Sequence, residues 1–149
     1  MGLQGTGTQL SSYLTDGQAL TPVEATQVKP VILVADDEAV VRTVLKSMLT
    51  RLGYEVMLAC DAAEAINLYE SHYSGIDLVL FDLYLPDMTG EMLYAQLRLI
   101  KPDTRAVLIT GNCESDLLPD VVAAGVNGIL GKPFDVAQLK EAVTGVLAA

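Results

Sequence analysis

Some residue types are scarce in this sequence, and each scarcity argues against a class of protein. The 149 residues include no tryptophan, one histidine and two cysteines, and 9 lysines and arginines stand against 19 aspartates and glutamates. The net charge of -10 argues against direct nucleic-acid binding, which needs a basic surface. Cys60 and Cys113 lie too far apart for a metal or redox motif, so we expect two reduced thiols.

Long apolar runs and export signals are missing as well. No apolar stretch approaches the roughly 20 residues of a membrane-spanning helix. The first residues do not show the charged-then-apolar pattern of a signal peptide. We therefore predict a cytoplasmic protein without membrane contact. Since 51% of its residues are hydrophobic, the chain can form one domain with a sizeable core.

The beginning of the chain differs in composition from the rest. Residues 1–29 are rich in Gly, Thr, Gln and Ser and show no sustained hydrophobic period. This composition predicts a flexible N-terminal tail or linker. The folded domain is predicted to cover residues 30–149.

From residue 31 onward, short apolar runs alternate with segments of helical hydrophobic spacing. The apolar runs are predicted to be buried parallel strands, at 31–35, 54–59, 78–82, 106–110 and 126–130. The predicted helices lie at 40–52, 62–69, 90–100, 115–124 and 136–147. Five such βα units predict an α/β domain with helices on both faces of a doubly wound parallel sheet. We expect the flavodoxin-like strand order 2-1-3-4-5, in which strands one, three, four and five can be neighbours.

The same spacing predicts which helix faces are buried. In the third helix these positions are Met92, Leu93, Leu97 and Ile100. In the last helix they are Val136, Leu139, Val143, Val146 and Leu147. Pro119 makes the start of the fourth helix uncertain, because proline is tolerated only near the beginning of a helix.

Polar side chains collect at one edge of the predicted sheet. Asp36 and Asp37 follow the first strand, and Asp82 ends the third. Thr110 ends the fourth strand, and Lys132 follows the fifth. Because the carboxyl ends of parallel strands meet at one edge, where such sheets bind ligands, we expect these side chains to share a pocket.

Three carboxylates in one pocket repel each other. Two unit charges about 4 Å apart repel by roughly 4 kcal/mol at an effective dielectric near 20, and one lysine cannot neutralise three acids. A divalent cation or a protonated carboxyl would relieve the repulsion, and oxygen ligands favour Mg²⁺ or Mn²⁺. The simpler alternative is that Asp36 and Asp37 only complement a helix dipole, which leaves Asp82 unexplained.

A cation beside carboxylates, opposite a hydroxyl and an ammonium, is suited to binding a phosphoryl group. Lys132 and Thr110 would contact phosphoryl oxygens. Asp82 is left as the nucleophile, which would form an acyl phosphate.

Four motifs follow one another on the elements just described. They are Val34-Ala35-Asp36-Asp37-Glu38, Leu80-Phe81-Asp82-Leu83-Tyr84-Leu85-Pro86-Asp87-Met88-Thr89-Gly90, Ile109-Thr110-Gly111 and Lys132-Pro133-Phe134. Together, over residues 31–147, they resemble the receiver domain of bacterial two-component response regulators. The resemblance implies a signalling switch and not an enzyme, although receivers catalyse their own phosphorylation and dephosphorylation.

The resemblance also implies roles for individual residues. Asp82 would accept a phosphoryl group, and Thr110 and Lys132 would contact that group. A cis peptide bond is expected between Lys132 and Pro133. The implied Mg²⁺ ligands are Asp37, Asp82, the backbone carbonyl of Tyr84 and, through water, Asp36.

Partners follow from the same resemblance. The phosphodonor would be a sensor histidine kinase or a histidine phosphotransfer protein, and phosphorylation would shift conformation and partner binding. The chain could be a stand-alone regulator or the terminal receiver of a hybrid kinase, and monomer and homodimer both stay open.

Two positions depart from the family pattern. Ile129 stands three residues before the lysine, where the family often has Tyr or Phe as a switch aromatic. Tyr84 is bulky for a position that is often small or polar. We predict that Tyr84 shields the acyl phosphate from water.

The same residues also bear on three other functions. A non-phosphorylated interaction module is the retained alternative, although it would be expected to have lost Asp37, Asp82, Thr110 or Lys132. A flavin carrier needs a phosphate-binding loop after the first strand, where three consecutive acids would repel phosphate. An aspartyl-phosphate hydrolase would have its nucleophile after the first strand, with a second acid two residues further on. The adjacent acids Asp36 and Asp37 do not fit that spacing.

Overall fold

The computed structural model describes residues 28–149, so the tail predicted for residues 1–29 lies almost wholly outside the described residues. The described part contains five parallel strands, which are β1 Val31–Ala35, β2 Glu55–Ala59, β3 Leu78–Asp82, β4 Ala106–Thr110 and β5 Gly128–Gly131. They form one sheet in the order β2-β1-β3-β4-β5. The predicted fold class and strand order are therefore confirmed.

Each strand is followed by a helix. The helices are α1 Ala39–Arg51, α2 Ala62–His72, α3 Gly90–Ile100, α4 Leu118–Ala123 and α5 Val136–Ala148, and a 3₁₀ turn, Tyr73–Gly75, extends α2. Asp61 and Thr89 begin α2 and α3 by accepting the amides of Glu64 and Met92. Asp135 begins α5 in a capping box with Gln138. None of these helices is both long and apolar enough to span a bilayer.

The core lies on both faces of the sheet, which explains the continuous apolar runs. All five residues of β3 and of β4 are buried. Successive strand side chains alternate between the two faces, so that Phe81 packs with the buried residues of α2, α3 and α4. Leu80 packs on the opposite face with α1 and α5. For the central strands β3 and β4, this two-sided burial leaves the strand ends as the place where they meet solvent.

In α3 and α5, two side chains predicted to be buried are exposed. Met92 is 55% exposed, and Tyr94, which was not in the predicted set, is only 2% exposed. The buried residues of α3 are Gly90, Leu93, Tyr94 and Leu97, which is the i, i+3, i+4, i+7 pattern counted from Gly90. Val136 is 43% exposed because it is the first residue of α5, at the helix end and outside the buried set.

Two element boundaries also differ from the prediction. The helix predicted at 115–124 begins only at Leu118, since residues 112–118 form turns in which Ser115 N and Leu118 N donate to Asn112 O and Ser115 O. Pro119 therefore lies in the first turn of the helix, where its missing N–H is not needed. The fifth strand lies at Gly128–Gly131, later than the predicted 126–130.

Candidate active site

The strand register brings the predicted site residues to one level. Asp82 pairs with Ile109, and the next residue of β4, Thr110, pairs with Gly131. Asp36 directly follows β1, whose last residue pairs with Phe81. Lys132 directly follows β5. The sheet thus presents four strand ends along one edge, as expected for parallel strands.

A single ammonium bridges two buried carboxylates. Lys132 Nζ lies 3.0 Å from Asp36 Oδ2 and 2.9 Å from Asp82 Oδ2. Asp36 is 1% exposed and Asp82 is 8% exposed, so both charges are largely removed from water. The positive charge of Lys132 offsets these two negative charges, and its two hydrogen bonds hold the carboxylates in place.

Burial and the ion pairs oppose each other in the ionisation of these groups. Burial raises the pKa of Asp36, although the Glu38 amide and the Lys132 ammonium favour its charged form. Burial alone would lower the pKa of Lys132, but its hydrogen bonds to Asp82 and Asp36 leave that pKa raised. Lys132 is therefore held as a cation at neutral pH.

Backbone donors occupy the other oxygen of each carboxylate. Glu38 N donates to Asp36 Oδ1 at 2.9 Å, and Tyr84 N donates to Asp82 Oδ1 at 3.2 Å. The Arg42 guanidinium donates to the backbone carbonyl of Asp36 at 2.7 Å. These contacts fix the turn after β1 and the orientation of both buried acids.

The acidic cluster suits a divalent cation. Asp36, Asp37 and Asp82 each offer one carboxylate oxygen, and these oxygens lie within 4.8 Å of one another. Asp37 is exposed and can turn toward an ion, whereas the two buried acids are held in place. An all-oxygen donor set is the kind that Mg²⁺ and Mn²⁺ prefer. Three negative charges with one lysine leave an excess that such a cation would balance.

A second acidic group in residues 28–149 has another explanation. The ligand atoms of Cys60, Asp61 and Glu64 also lie within 4.8 Å of one another. Glu64 Oε1 accepts the Cys60 amide at 2.8 Å, and Asp61 Oδ1 accepts the Glu64 amide at 2.8 Å. These carboxylates cap the start of α2, so we assign no metal site to them.

Thr110 lies at the site, but its hydroxyl is engaged by its own loop. The side chain is 1% exposed, and Oγ1 accepts the Asn112 amide at 3.0 Å. The same hydroxyl lies 3.4 Å from the Asn112 carbonyl. Ile129, at the predicted position of the switch aromatic, is 41% exposed on β5. The predicted contact between Thr110 and a phosphoryl group stays a prediction, and the hydroxyl would have to give up its 3.4 Å contact with the Asn112 carbonyl to donate to that group.

Tyr84 connects the loop after β3 to the loop after β4. Its side chain is 49% exposed, and its hydroxyl is hydrogen-bonded to Ser115 Oγ. Ser115 is 7% exposed and also accepts the Leu117 amide at 3.1 Å. Sequence reasoning did not identify Ser115, because it was assigned to the start of a helix. Nothing in its local pattern indicates a partner 31 residues away.

Gly90 allows the loop after β3 to return close to the phosphoacceptor candidate. A Cβ at this position would lie 2.6 Å from the backbone oxygen of Asp82 and 2.9 Å from the Phe81 ring. A larger residue would therefore push α3 away from the end of β3. The Gly90 amide donates to Leu83 O at 2.7 Å and closes the loop.

Asp87, at the tip of this loop, reaches a different element. Its Oδ1 accepts the Ala62 amide and its Oδ2 accepts the Ala63 amide, both at 2.9 Å. The hydrogen bond from Ala62, with a further one from Ala63, holds the pKa of Asp87 below its usual value. The positive end of the α2 dipole favours the same charged form.

Asp87 is therefore expected to contribute to stability in a pH-dependent way. A group whose pKa is lowered by folding stabilises the protein above its unfolded-state value, here 3.8, and loses that contribution as the pH falls through its lower folded value. We expect Asp87→Asn to melt at a lower temperature than the native sequence at neutral pH, and the difference to shrink below pH 3.8. Thermal unfolding followed by circular dichroism across this range measures it, and a difference independent of pH would contradict the assignment.

Comparison with known proteins identifies a family that this chain matches. Residues 32–144 match the family model described as the response regulator receiver domain. The sensor histidine kinase AruS of Pseudomonas aeruginosa is 34% identical over 127 residues, which cover 83% of this chain and 12% of AruS. The chemotaxis protein CheY of Bacillus subtilis is 28% identical over 117 residues, covering 78% of this chain and 96% of CheY. The chain thus spans a small part of the first relative and nearly all of the second.

Two solved structures of similar proteins contain magnesium, one of them in its active-site cleft. CheY in a CheX–CheY–BeF₃–Mg²⁺ complex from Borrelia burgdorferi has a TM-score of 0.76 and 26% identity, over 83% of this chain and 92% of the other. A sensor kinase receiver domain from Pseudomonas aeruginosa, solved with magnesium in its active-site cleft, has a TM-score of 0.75 and 27% identity. That match covers 82% of this chain and 100% of the other.

Proposed function

Because the chain belongs to the family of response regulator receiver domains, we propose that it is the phosphoacceptor switch of a two-component phosphorelay. The observation that supports this most is the Lys132 ammonium between two buried carboxylates, with a third acid at the rim. Such a site can accept a phosphoryl group, since it combines a carboxylate nucleophile with fixed positive charge.

In the proposed transfer, a carboxylate oxygen of Asp82 attacks the phosphorus of a phosphohistidine. A P–O bond forms, the P–N bond breaks, and its electron pair stays on the imidazole nitrogen of the donor. The product is an acyl phosphate on Asp82. When bound by Asp37, Asp82 and the Tyr84 carbonyl, with Asp36 acting through water, Mg²⁺ would neutralise charge on the phosphoryl oxygens.

The residues of the chain itself would carry the remaining steps. Lys132 already lies 2.9 Å from Asp82 Oδ2 and can exchange part of that contact for a phosphoryl oxygen. The Thr110 hydroxyl would leave Asn112 and donate to another phosphoryl oxygen. Because Asn112 lies in the loop that leads to α4, this exchange would alter that loop and change the surface offered to a partner.

The donor we propose is a sensor histidine kinase or a histidine phosphotransfer protein. The similar proteins include both a sensor kinase, of which the match covers 12%, and a CheY, of which it covers 96%, so a hybrid-kinase receiver and a stand-alone regulator both remain proposals. The test of the function is intact mass after incubation with acetyl phosphate and Mg²⁺. A gain of one phosphoryl group, prevented by a chelator, is expected. An unmodified chain would instead favour the non-phosphorylated interaction module.

Tyr84 is expected to set how long the phosphoryl group persists. Its backbone amide donates to Asp82 Oδ1, and its hydroxyl is hydrogen-bonded to Ser115, so we expect the side chain held between these two contacts to limit the approach of water. Removing one hydroxyl hydrogen bond costs about 1 kcal/mol, which corresponds to about a fivefold change in rate. We expect Tyr84→Phe to shorten the acyl phosphate half-life by about this factor, and Tyr84→Ala by more.

The half-life is measured by intact mass at intervals after the phosphodonor is removed. Ser115→Ala is the matched variant, because it removes the other hydroxyl of the same hydrogen bond. It should shorten the half-life at least as much as Tyr84→Phe, because it also removes the acceptor of the Leu117 amide, and adding Tyr84→Phe to it should change nothing further. An unchanged rate in Tyr84→Ala would show that the side chain does not shield the site.

A further inference from the structure

The loop between β3 and α3, residues 83–89, forms part of the proposed site. It directly follows Asp82 and contains Tyr84, whose backbone carbonyl is a proposed metal ligand. Hydrogen bonds within the loop include Leu85 N to Met88 O at 3.2 Å, and Tyr84 and Thr89 form an isolated bridge. These contacts shape the loop internally. Leu83 and Leu85 are buried in the core on either side of Tyr84, and residues 86–88 form the loop tip beyond them.

Two side chains make hydrogen bonds from this loop to distant parts of the described chain. Tyr84 reaches Ser115, and Asp87 reaches the first two amides of α2. The Asp87 contacts span 25 and 24 residues and use both carboxylate oxygens. The loop tip is therefore held to α2 by two hydrogen bonds. The element that it reaches is rigid, because Ala62, Ala65 and Tyr69 bury α2 against the sheet.

The beginning of α2 offers an internal comparison. Asp61 and Asp87 are both carboxylates that accept amides of this helix. Asp61 accepts from Glu64, three residues further along, and so stabilises only the helix itself. Asp87 accepts from Ala62 and Ala63 and also joins the helix to the loop beside Asp82. A capping carboxylate can come from the chain next to the helix, as Asp61 does. The position of Asp87 on another loop therefore suggests a role beyond capping.

We propose that Asp87 is a positioning residue, which fixes the loop 83–89 so that the Tyr84 carbonyl is presented to the divalent cation held by Asp37 and Asp82. The proposal rests on the proposed function, because it assumes that the acidic cluster binds Mg²⁺. Asp87 does not itself contact the cation. Its role is to reduce the motion that the loop would otherwise have to lose when the ion binds.

The test compares Mg²⁺ affinity in Asp87→Ala and Asp61→Ala by isothermal titration calorimetry on the full chain. Each variant removes one carboxylate from the same helix end, so the loss of negative charge is matched, although Asp87 accepts two amides and Asp61 accepts one. Both should lower the melting temperature, and Asp87→Ala by more because it loses two hydrogen bonds. Only Asp87→Ala should weaken Mg²⁺ binding, by about tenfold, as removal of outer-shell partners does in other metal sites.

A conservative variant and an amide readout complete the experiment. Asp87→Asn keeps one acceptor oxygen and should lie between the native protein and Asp87→Ala in Mg²⁺ affinity. Hydrogen exchange at the Ala62 and Ala63 amides should accelerate in Asp87→Ala, which shows directly that the contact is lost.

The outcomes separate this proposal from the proposed function. Native affinity in Asp87→Ala, or equal weakening in Asp61→Ala, would overturn the positioning role while leaving the metal site intact. If the native chain bound no Mg²⁺, the metal site itself would be wrong, and the positioning role would be wrong with it. Tight binding in the native chain with a selective loss in Asp87→Ala supports both.

Discussion

The Asp82→Asn variant is expected to gain no phosphoryl group from acetyl phosphate and Mg²⁺, whereas the native chain gains one. An amide lacks the negatively charged oxygen that attacks phosphorus, so the acyl phosphate cannot form. Asparagine has nearly the same shape and keeps an acceptor oxygen for the Tyr84 amide or for Lys132, which lie 3.2 and 2.9 Å from the carboxylate. The fold should therefore survive the change. Intact mass is the measurement.

A matched control is available on the same protein. Asp61→Asn changes an acid that caps α2 and lies outside the proposed site, and it should be phosphorylated like the native chain. Equal labelling of Asp82→Asn and the native protein would place the phosphoryl group on another residue. That result would refute the assignment of Asp82 without refuting the receiver fold.

Lys132→Ala is expected to destabilise the protein strongly in the absence of divalent cations. The Lys132 side chain is 19% exposed and pairs with Asp36 and Asp82, whose side chains are 2% and 12% exposed. Removing one partner of a buried ion pair costs about 3 to 5 kcal/mol, because the remaining charge stays buried without compensation. Two carboxylates are left here, although the partial exposure of Lys132 points to the lower end, about 3 kcal/mol.

Urea unfolding with and without Mg²⁺ measures this effect. Added Mg²⁺ should restore part of the lost stability, because a ligand that binds only the folded state stabilises it. Lys140→Ala is the control, since it removes a positive charge from an exposed position on α5 and should change stability by less than about 0.5 kcal/mol. Equal stability of Lys132→Ala and the native chain would mean that the bridging ion pair contributes nothing net.

The positions of the site residues were predictable for a simple reason. Asp36, Asp82 and Lys132 each lie at or directly after an apolar run, and alternating strands and helices force such runs into a parallel sheet. Strand ends then share one edge whatever the details of packing. The metal site was predicted by electrostatics, because three acids beside one lysine repel one another unless a cation binds or one carboxyl is protonated.

Side-chain contacts between loops were not predictable in the same way. By sequence, Ser115 is predicted to begin a helix and Asp87 to lie in a turn, and their partners lie 31 and about 25 residues away. Such contacts depend on how two loops approach each other in space. The misplaced Met92 and Tyr94 have a related origin, because the close contact of Gly90 with Asp82 helps set which face of α3 is buried.

The sequence by itself determined the alternation of strands and helices and the edge at which the acidic residues meet, because the hydrophobic period is a local property and parallel strands share their carboxyl edge. The strand order came from the flavodoxin-like fold to which this alternation was assigned. Only the tertiary structure decided that Lys132 bridges Asp36 and Asp82, that the Thr110 hydroxyl is engaged by Asn112, and that Tyr84 and Asp87 tie the loop to its neighbours. These are orientations of side chains across gaps of a few ångströms. They follow from the packing of loops on a formed sheet, which no local pattern encodes.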